Sequence, residues 1–190
     1  MIIMFIGPSS SGKDLFYKKT LEKYNLQRII LYSTRPKRIN EENGREYFFV
    51  STKEMDTLDQ EHKLIERRDY DTIHGIWSYA TRGDNIDLHQ NYLVINTWDG
   101  YQKYIDYFDE STVYPFYFDL DQNVRFERAY EREKREKEKK YLEMCRRFLA
   151  DEKDFSKDKL LKYHPIMIDN NGSIENTEKQ IEYQLKKIIK

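Results

Sequence analysis

The stretch Ile2-Ile3-Met4-Phe5-Ile6-Gly7-Pro8-Ser9-Ser10-Ser11-Gly12-Lys13-Asp14 decides the fold. Ile2 to Ile6 is a short unbroken apolar run ending at a glycine, as a strand buried on both faces requires. Glycine, four residues, glycine and lysine come next, set between that strand and a helix that begins at Asp14. In this setting the glycines let the main chain curl until successive N–H groups face one concavity. The helix N-terminus adds the positive end of its dipole, and Lys13 adds a full charge. Gly7, Pro8, Ser9, Ser10, Ser11, Gly12, Lys13 and Asp14 are therefore the candidate site for a nucleoside triphosphate such as ATP. The plainer alternative is a strand-to-helix turn that leaves its lysine in solvent.

The position after the lysine, where a hydroxyl would reach magnesium, holds Asp14. A carboxylate is a hard oxygen ligand, which makes Asp14 a candidate for holding Mg2+. It can equally serve the helix dipole alone, a contribution of about 0.3–1 kcal/mol.

Outward from this loop, the spacing of Leu15, Leu21 and Tyr24 predicts a helix over 14–24, and Arg28 to Tyr32 reads as a second apolar strand. Strand, turn, helix and strand in that order make a parallel α/β unit. From Ser33 to Thr81 short strands succeed one another without long helices, which predicts a small antiparallel sheet inserted into the parallel framework. Tyr92 to Ile95 resumes the buried-strand pattern, and an amphipathic helix is expected over 100–108. Val113 to Phe118 is a strand that Pro115 marks as irregular or near an edge. Arg125 to Arg147 carries ten basic and six acidic side chains, a balance of 10 − 6 = +4. Glu131–Arg135, Glu133–Lys137 and Glu136–Lys140 are favourable i,i+4 pairs, so the segment is expected to hold as a helix with little core contact. Pro165 to Ile168 is a last strand, the turn Asp169-Asn170-Asn171-Gly172 closes it, and 175–189 is a final amphipathic helix.

Composition narrows the class. Among 190 residues, 33 basic side chains face 34 acidic ones, so a globally basic nucleic-acid binder is not expected. The aromatic share of 15% argues for a packed core. Cys145 stands alone, which leaves no internal disulfide and no multi-cysteine zinc site; it reads as a small buried residue. The apolar opening Met1 to Ile6 is too short for a signal peptide or a membrane span, so no membrane partner and a cytoplasmic location are expected.

Ser33-Thr34-Arg35-Pro36-Lys37-Arg38 comes after the second strand, at the sheet edge where ligands of open α/β folds collect. Arg35 and Arg38, three apart and stiffened by Pro36, can fork onto one phosphate, and the Tyr47 hydroxyl can donate to it. By itself the segment reads more readily as a solvated basic loop.

GPSSSGK, STRPKR, REYFFVS, LIE and the tail IMIDNNGSIENTEKQI, in this order and spacing, together resemble the guanylate kinase family from Ile2 to about Ile181. The resemblance implies transfer of the ATP γ-phosphate to a nucleoside monophosphate, GMP or dGMP, with Mg2+. It also implies a P-loop NTPase-type parallel core (1–32, 82–124 and 148–190) flanked by helices. A mixed or antiparallel monophosphate-binding insert (33–81) and a mobile helical lid (125–147) would complete a single domain. Carried over position by position, Arg35, Arg38, Tyr47 and Tyr79 hold the acceptor phosphate. Glu66 accepts from guanine N1 and N2, Thr81 touches the base, Ser33 lies near O6, and Asn96 stands where the family has an aspartate. Arg128 and Arg132, joined by Arg147 from the next helix, close over the ATP phosphates and act with Lys13 on the transferring charge. A carboxylate suits guanine because adenine has an acceptor at N1 and would leave Glu66 unpaired.

The chain departs from the family at Ser10, usually glycine, at Asn96-Thr97, and in the longer turn His74-Gly75-Ile76-Trp77-Ser78. Trp77 reads first as a core or lid-packing side chain, with stacking on a base as the alternative. Arg125, Arg128, Arg132 and Arg135 share one helical face. Arg125 and Arg135 are read as solvated and paired with neighbouring glutamates. Two other readings stay open: a related kinase for another nucleotide or a phosphorylated sugar, and a non-catalytic binding module of the same fold.

Overall fold

The computed structural model describes residues 1–72, 75–137 and 139–189. His74, part of the lengthened turn, lies outside the described residues. In chain order the elements are β1 (Ile2–Ile6), α1 (Lys13–Lys23), β2 (Gln27–Arg28), β3 (Tyr32–Ser33), β4 (Phe48–Phe49), α2 (Thr52–Gln60), β5 (Leu64–Thr72) and β6 (Gly75–Arg82). They continue with β7 (Tyr92–Ile95), α3 (Trp98–Phe108), β8 (Val113–Asp119), α4 (Gln122–Arg135), α5 (Tyr141–Asp154), α6 (Lys157–Tyr163), β9 (Ile166–Asp169) and α7 (Ile174–Ile188).

Five strands form an all-parallel sheet in the order β2-β7-β1-β8-β9. All five residues of the central β1 are completely buried. Side chains alternate across a strand, so β1 serves two layers at once. Ile2, Met4 and Ile6 pack with Trp98, Tyr101 and Tyr104 of α3. Ile3 and Phe5 pack with Phe16 of α1 and with Ile181 and Leu185 of α7. A second, mixed sheet in the order β4-β3-β6-β5 carries the inserted segment, with Tyr32, Met55 and Ala80 as its own small core. The Ser51–Glu54 capping box starts α2 beneath it.

Several expectations change. The apolar run Arg28 to Tyr32 is divided: its start pairs with β7 in the parallel sheet, and its end pairs with β6 in the mixed one. Ile29 and Leu31 thereby line the space between the two sheets. In α1 the buried side chains are Phe16 and Thr20, while Leu15 is exposed. β8 is interior, between β1 and β9, yet Pro115 precedes Phe116, the first residue paired with β9, so the missing N–H interrupts no bond on that side. The charged segment breaks into two helices. Glu136 is extended, at φ −68° and ψ 148°, and the Glu133 carboxylate accepts the Lys140 N–H across the break. The Glu136–Lys140 helical pair is thereby lost, and Glu131 meets Lys134 at 3.3 Å instead of Arg135. With no apolar stripe through 131–140, tertiary burial does not hold that turn together. The two helices pack side by side, Phe126 edge-on to Phe148 and Tyr130 stacked on Tyr141. Cys145 is exposed. Among the described residues no helix is long and apolar enough to cross a membrane.

Candidate active site

The phosphate loop bridges β1 and α1. Gly12, at φ +87°, sits in the left-handed region, and so does Ser10, at φ +64°. Occupying that region costs a non-glycine residue about 1–2 kcal/mol, a strain that Ser10 bears. The Ser10 and Ser11 hydroxyls are buried with no hydrogen-bond partner among the described residues. Orphaned hydroxyl donors in a curled loop at a helix N-terminus are what an anionic ligand would satisfy. Lys13 Nζ folds back to the Pro8 carbonyl at 3.1 Å. Burial lowers its pKa, the charge of Arg132 lowers it further, and Asp14 and Asp151 oppose the shift. Asp14 itself is exposed on the first turn of α1.

The second half of the site is a cavity of about 700 Å³ between the two sheets. Its aromatic wall includes Tyr47, Tyr70, Trp77 and Tyr79, and its polar floor is Glu66, Arg68 and Asn96. Trp77 is thus a wall of this cavity, a correction to the core or lid placement, because its strand β6 turns that side chain between the sheets. Glu66 Oε1 accepts from Asn96 Nδ2 at 3.1 Å and from the fully buried Thr81 Oγ1 at 3.4 Å. Ser33 is fully buried, with its hydroxyl accepting the Arg35 N–H at 3.3 Å.

Arg35 is 5% exposed, and its fork is filled by the Glu41 carboxylate, with Nη1 to Oε2 at 2.7 Å and Nη2 to Oε1 at 2.5 Å. Tyr47 and Phe49 lie against the guanidinium, centroids 4.9 and 5.2 Å away. The Tyr47 and Tyr79 rings meet edge-on at 5.6 Å, so Arg35, Tyr47 and Tyr79 form one group. Arg38 is exposed beside them, its N–H on Glu41.

The two halves open from one edge. Phe5 of β1 pairs with Ile95 of β7, and the Asn96 N–H continues the ladder to the Phe5 carbonyl at 3.1 Å. The loop leaves β1 two residues after Phe5. Across the parallel sheet, then, the floor of the cavity and the root of the phosphate loop are neighbours.

A model of the family described as Guanylate kinase matches residues 1–90, the span that holds the phosphate loop, the arginine segment, Glu66 and Thr81. Over that span the chain is similar to the guanylate kinase family. The guanylate kinase of Anaplasma phagocytophilum is 28% identical over 116 residues, 60% of this chain and 55% of that protein. That of Thermotoga maritima is 31% identical over 94 residues, 47% of this chain and 42% of that protein. The chain thus spans about half the length, or less, of these curated relatives. A crystal structure of guanylate kinase from Anaplasma phagocytophilum superposes with a TM-score of 0.58 at 18% identity, covering 100% of this chain and 87% of that one, a likeness of fold.

The helical segment that carries the remaining arginines lies beyond the matched residues. Arg128 lies over the loop, with Nη1 3.6 Å from where a Cβ on Gly12 would stand. Arg132 is within electrostatic reach of Lys13. Arg147 is exposed on α5, with Nε on Glu143 at 3.0 Å. Arg125 is not solvated: it is 3% exposed and bonded to Asp151 and Glu152, each at 3.0 Å. Asp151 also accepts the Ser9 N–H at 2.9 Å. Asn170 donates to the Ser11 carbonyl from behind the loop. Asp151 and Asn170 carry no sequence signal as site residues, since each meets the loop only through the tertiary fold.

Proposed function

We propose that the chain transfers the γ-phosphate of ATP to GMP or dGMP, giving ADP and the nucleoside diphosphate. The observation that carries this reading is the shared sheet edge. An anion-binding loop and a cavity with a buried carboxylate on its floor open side by side, so that a donor and an acceptor nucleotide can meet without a covalent intermediate. In this reading Arg35, Arg38, Tyr47 and Tyr79 hold the acceptor phosphate, aligning its oxygen for in-line attack on the γ-phosphorus. Glu66, with Thr81 and Asn96 behind it, takes the guanine N–H groups. Lys13, Arg128 and Arg132 offset the charge that spreads over the transferring group, and Arg147 joins them by exchanging Glu143 for phosphate. The segment 33–81 acts as the acceptor-binding insert and 125–147 as the lid.

Mg2+ fits this site as an ion shared with the nucleotide. Among the described residues no cluster of three or more His, Cys, Asp or Glu side chains could hold a metal alone. Asp14, exposed on the first helical turn, can supply the one carboxylate that Mg2+ commonly takes beside substrate phosphates. When bound, the ion supplies neutralising charge to the β- and γ-phosphate oxygens.

The test is a coupled assay of the purified protein with ATP, Mg2+ and each of GMP, dGMP, AMP, UMP and CMP. Turnover on the guanine nucleotides above the rest is expected. Turnover on none of the five would overturn the reading, and turnover confined to phosphorylated sugars would replace it with the sugar-kinase alternative.

A further inference from the structure

The floor of the cavity holds a cation that the family resemblance does not assign. Arg68 stands two residues after Glu66 on β5, so both side chains leave the strand on the same face. Arg68 Nη2 donates to Glu66 Oε2 at 2.7 Å and to Asn96 Oδ1 at 3.0 Å. The Glu66 side chain is only 9% exposed, whereas that of Arg68 is 43% exposed and lines the cavity. The buried carboxylate thus fixes the guanidinium at one end, while the group as a whole faces the space a base would fill.

A carboxylate offers acceptors only. A cavity reading bases through Glu66 alone would satisfy two ring N–H groups and leave a neighbouring carbonyl without a donor. Ser33, whose hydroxyl sits on β3 with β6 between it and β5, is fully buried and does not line the cavity, and its oxygen accepts the Arg35 N–H. Arg68 fills that gap: beside the acceptor oxygens of Glu66 it sets donors that stay charged at any working pH. Guanine presents the complementary order, an O6 acceptor next to N1–H and N2–H donors, with N7 as a second acceptor beyond O6. A guanidinium is well matched to O6 and N7.

We propose that Arg68 is a specificity-determining residue that donates to the O6 edge of guanine while Glu66 accepts from N1 and N2. The inference rests on the reading of the chain as a GMP kinase. It replaces a hydroxyl at O6 with a charged donor, which raises the penalty for any base or analogue lacking a good acceptor there.

The experiment compares kcat/KM for GMP and 6-thioguanosine monophosphate, whose sulfur is a poor acceptor, in the wild type, Arg68→Met, Arg68→Gln and Ser33→Ala. The wild type is expected to favour GMP by about 10-fold or more. Arg68→Met is expected to bring that ratio close to one, Arg68→Gln to recover part of it with its uncharged N–H, and Ser33→Ala to leave it unchanged. A misplaced strand would lower both substrates together, so the ratio separates base reading from structural damage. Wild-type turnover of GMP with an unchanged ratio in Arg68→Met, or a ratio lost in Ser33→Ala, would overturn the role of Arg68 alone. No wild-type turnover of GMP would overturn the kinase reading beneath it.

Discussion

Arg125 Nη1 and Asp151 Oδ2 meet at 3.0 Å between α4 and α5, both side chains nearly out of solvent. The same oxygen accepts the Ser9 N–H at 2.9 Å, so one carboxylate fastens the helix pair to the phosphate loop. The Phe148 ring lies 4.2 Å beneath the guanidinium, and Glu152 takes its other nitrogen. A buried ion pair adds little over a well-packed apolar pair, but removing one partner leaves the other charge in low dielectric.

Asp151→Asn is therefore expected to destabilise the fold by about 3 kcal/mol, measured by urea unfolding, and to raise the KM for ATP several-fold by loosening Ser9. Arg125→Met combined with Asp151→Leu is expected to recover most of the stability and little of the KM. A single Asp151→Asn variant as stable as the wild type would show that the pair does not hold the helices.

Lys13 behaves in the opposite way. Its ammonium group is desolvated, its pKa is lowered chiefly for that reason, and among the described residues it donates only to a loop carbonyl. Without phosphates the charge is a burden on the fold. Lys13→Ala is expected to leave the unfolding midpoint unchanged or slightly raised, and to cut turnover by about 100-fold or more. Near-wild-type turnover would remove Lys13 from the transferring charge.

How far the sequence is legible depends on the range of the interactions. The phosphate loop and β1 can be read because their signals are local: an apolar run, two glycines and a lysine close together in the chain. Trp77 and Arg68 cannot, since strand alternation places them on one face of β5 or β6 without saying that a second sheet closes over that face. Arg125 looks like one more arginine on a charged helix. Its burial depends on Asp151, 26 residues away, and on a break at Glu136 that the helix-favouring composition of the segment conceals. The run from Arg28 to Tyr32 misleads for a related reason: apolar residues lining a cavity and apolar residues within one strand have the same pattern.

The Arg35–Glu41 pair gives a pH dependence with a definite sign. The Glu41 carboxyl is held down to about 2 from an ordinary 4.5, first by the Arg35 side chain and then by the Arg38 N–H. A carboxylate with a depressed folded pKa contributes stability that is complete above its unfolded value and lost as pH falls toward the folded one. Unfolding midpoints measured from about pH 5 down to about 2 are expected to decline, and Glu41→Gln is expected to flatten that decline. A decline of equal steepness in Glu41→Gln would assign it to other carboxylates. The variant also frees the Arg35 fork, so a lower KM for GMP at neutral pH is expected, because a phosphate no longer competes with Glu41.

Gly12 and Asn170 test the loop from behind. Gly12 sits at φ +87°, and a Cβ there would stand 2.6 Å from Asn170 Nδ2, the atom that donates to the Ser11 carbonyl at 2.6 Å. Thr177 Oγ1 donates to the Asn170 side-chain oxygen at 3.1 Å, so the amide cannot simply rotate away. Gly12→Ala thus carries both a backbone penalty of about 1–2 kcal/mol and the loss of a buried hydrogen bond, about 1–3 kcal/mol more. Asn170→Ala carries the second cost alone. In the double variant the shortened side chain makes room for the new methyl group while the backbone penalty remains. The double variant is therefore expected to lose less than the sum of the two single losses, by at least about 0.5 kcal/mol in urea unfolding. Strict additivity would mean that the glycine is required for its backbone angle and not for the approach of Asn170.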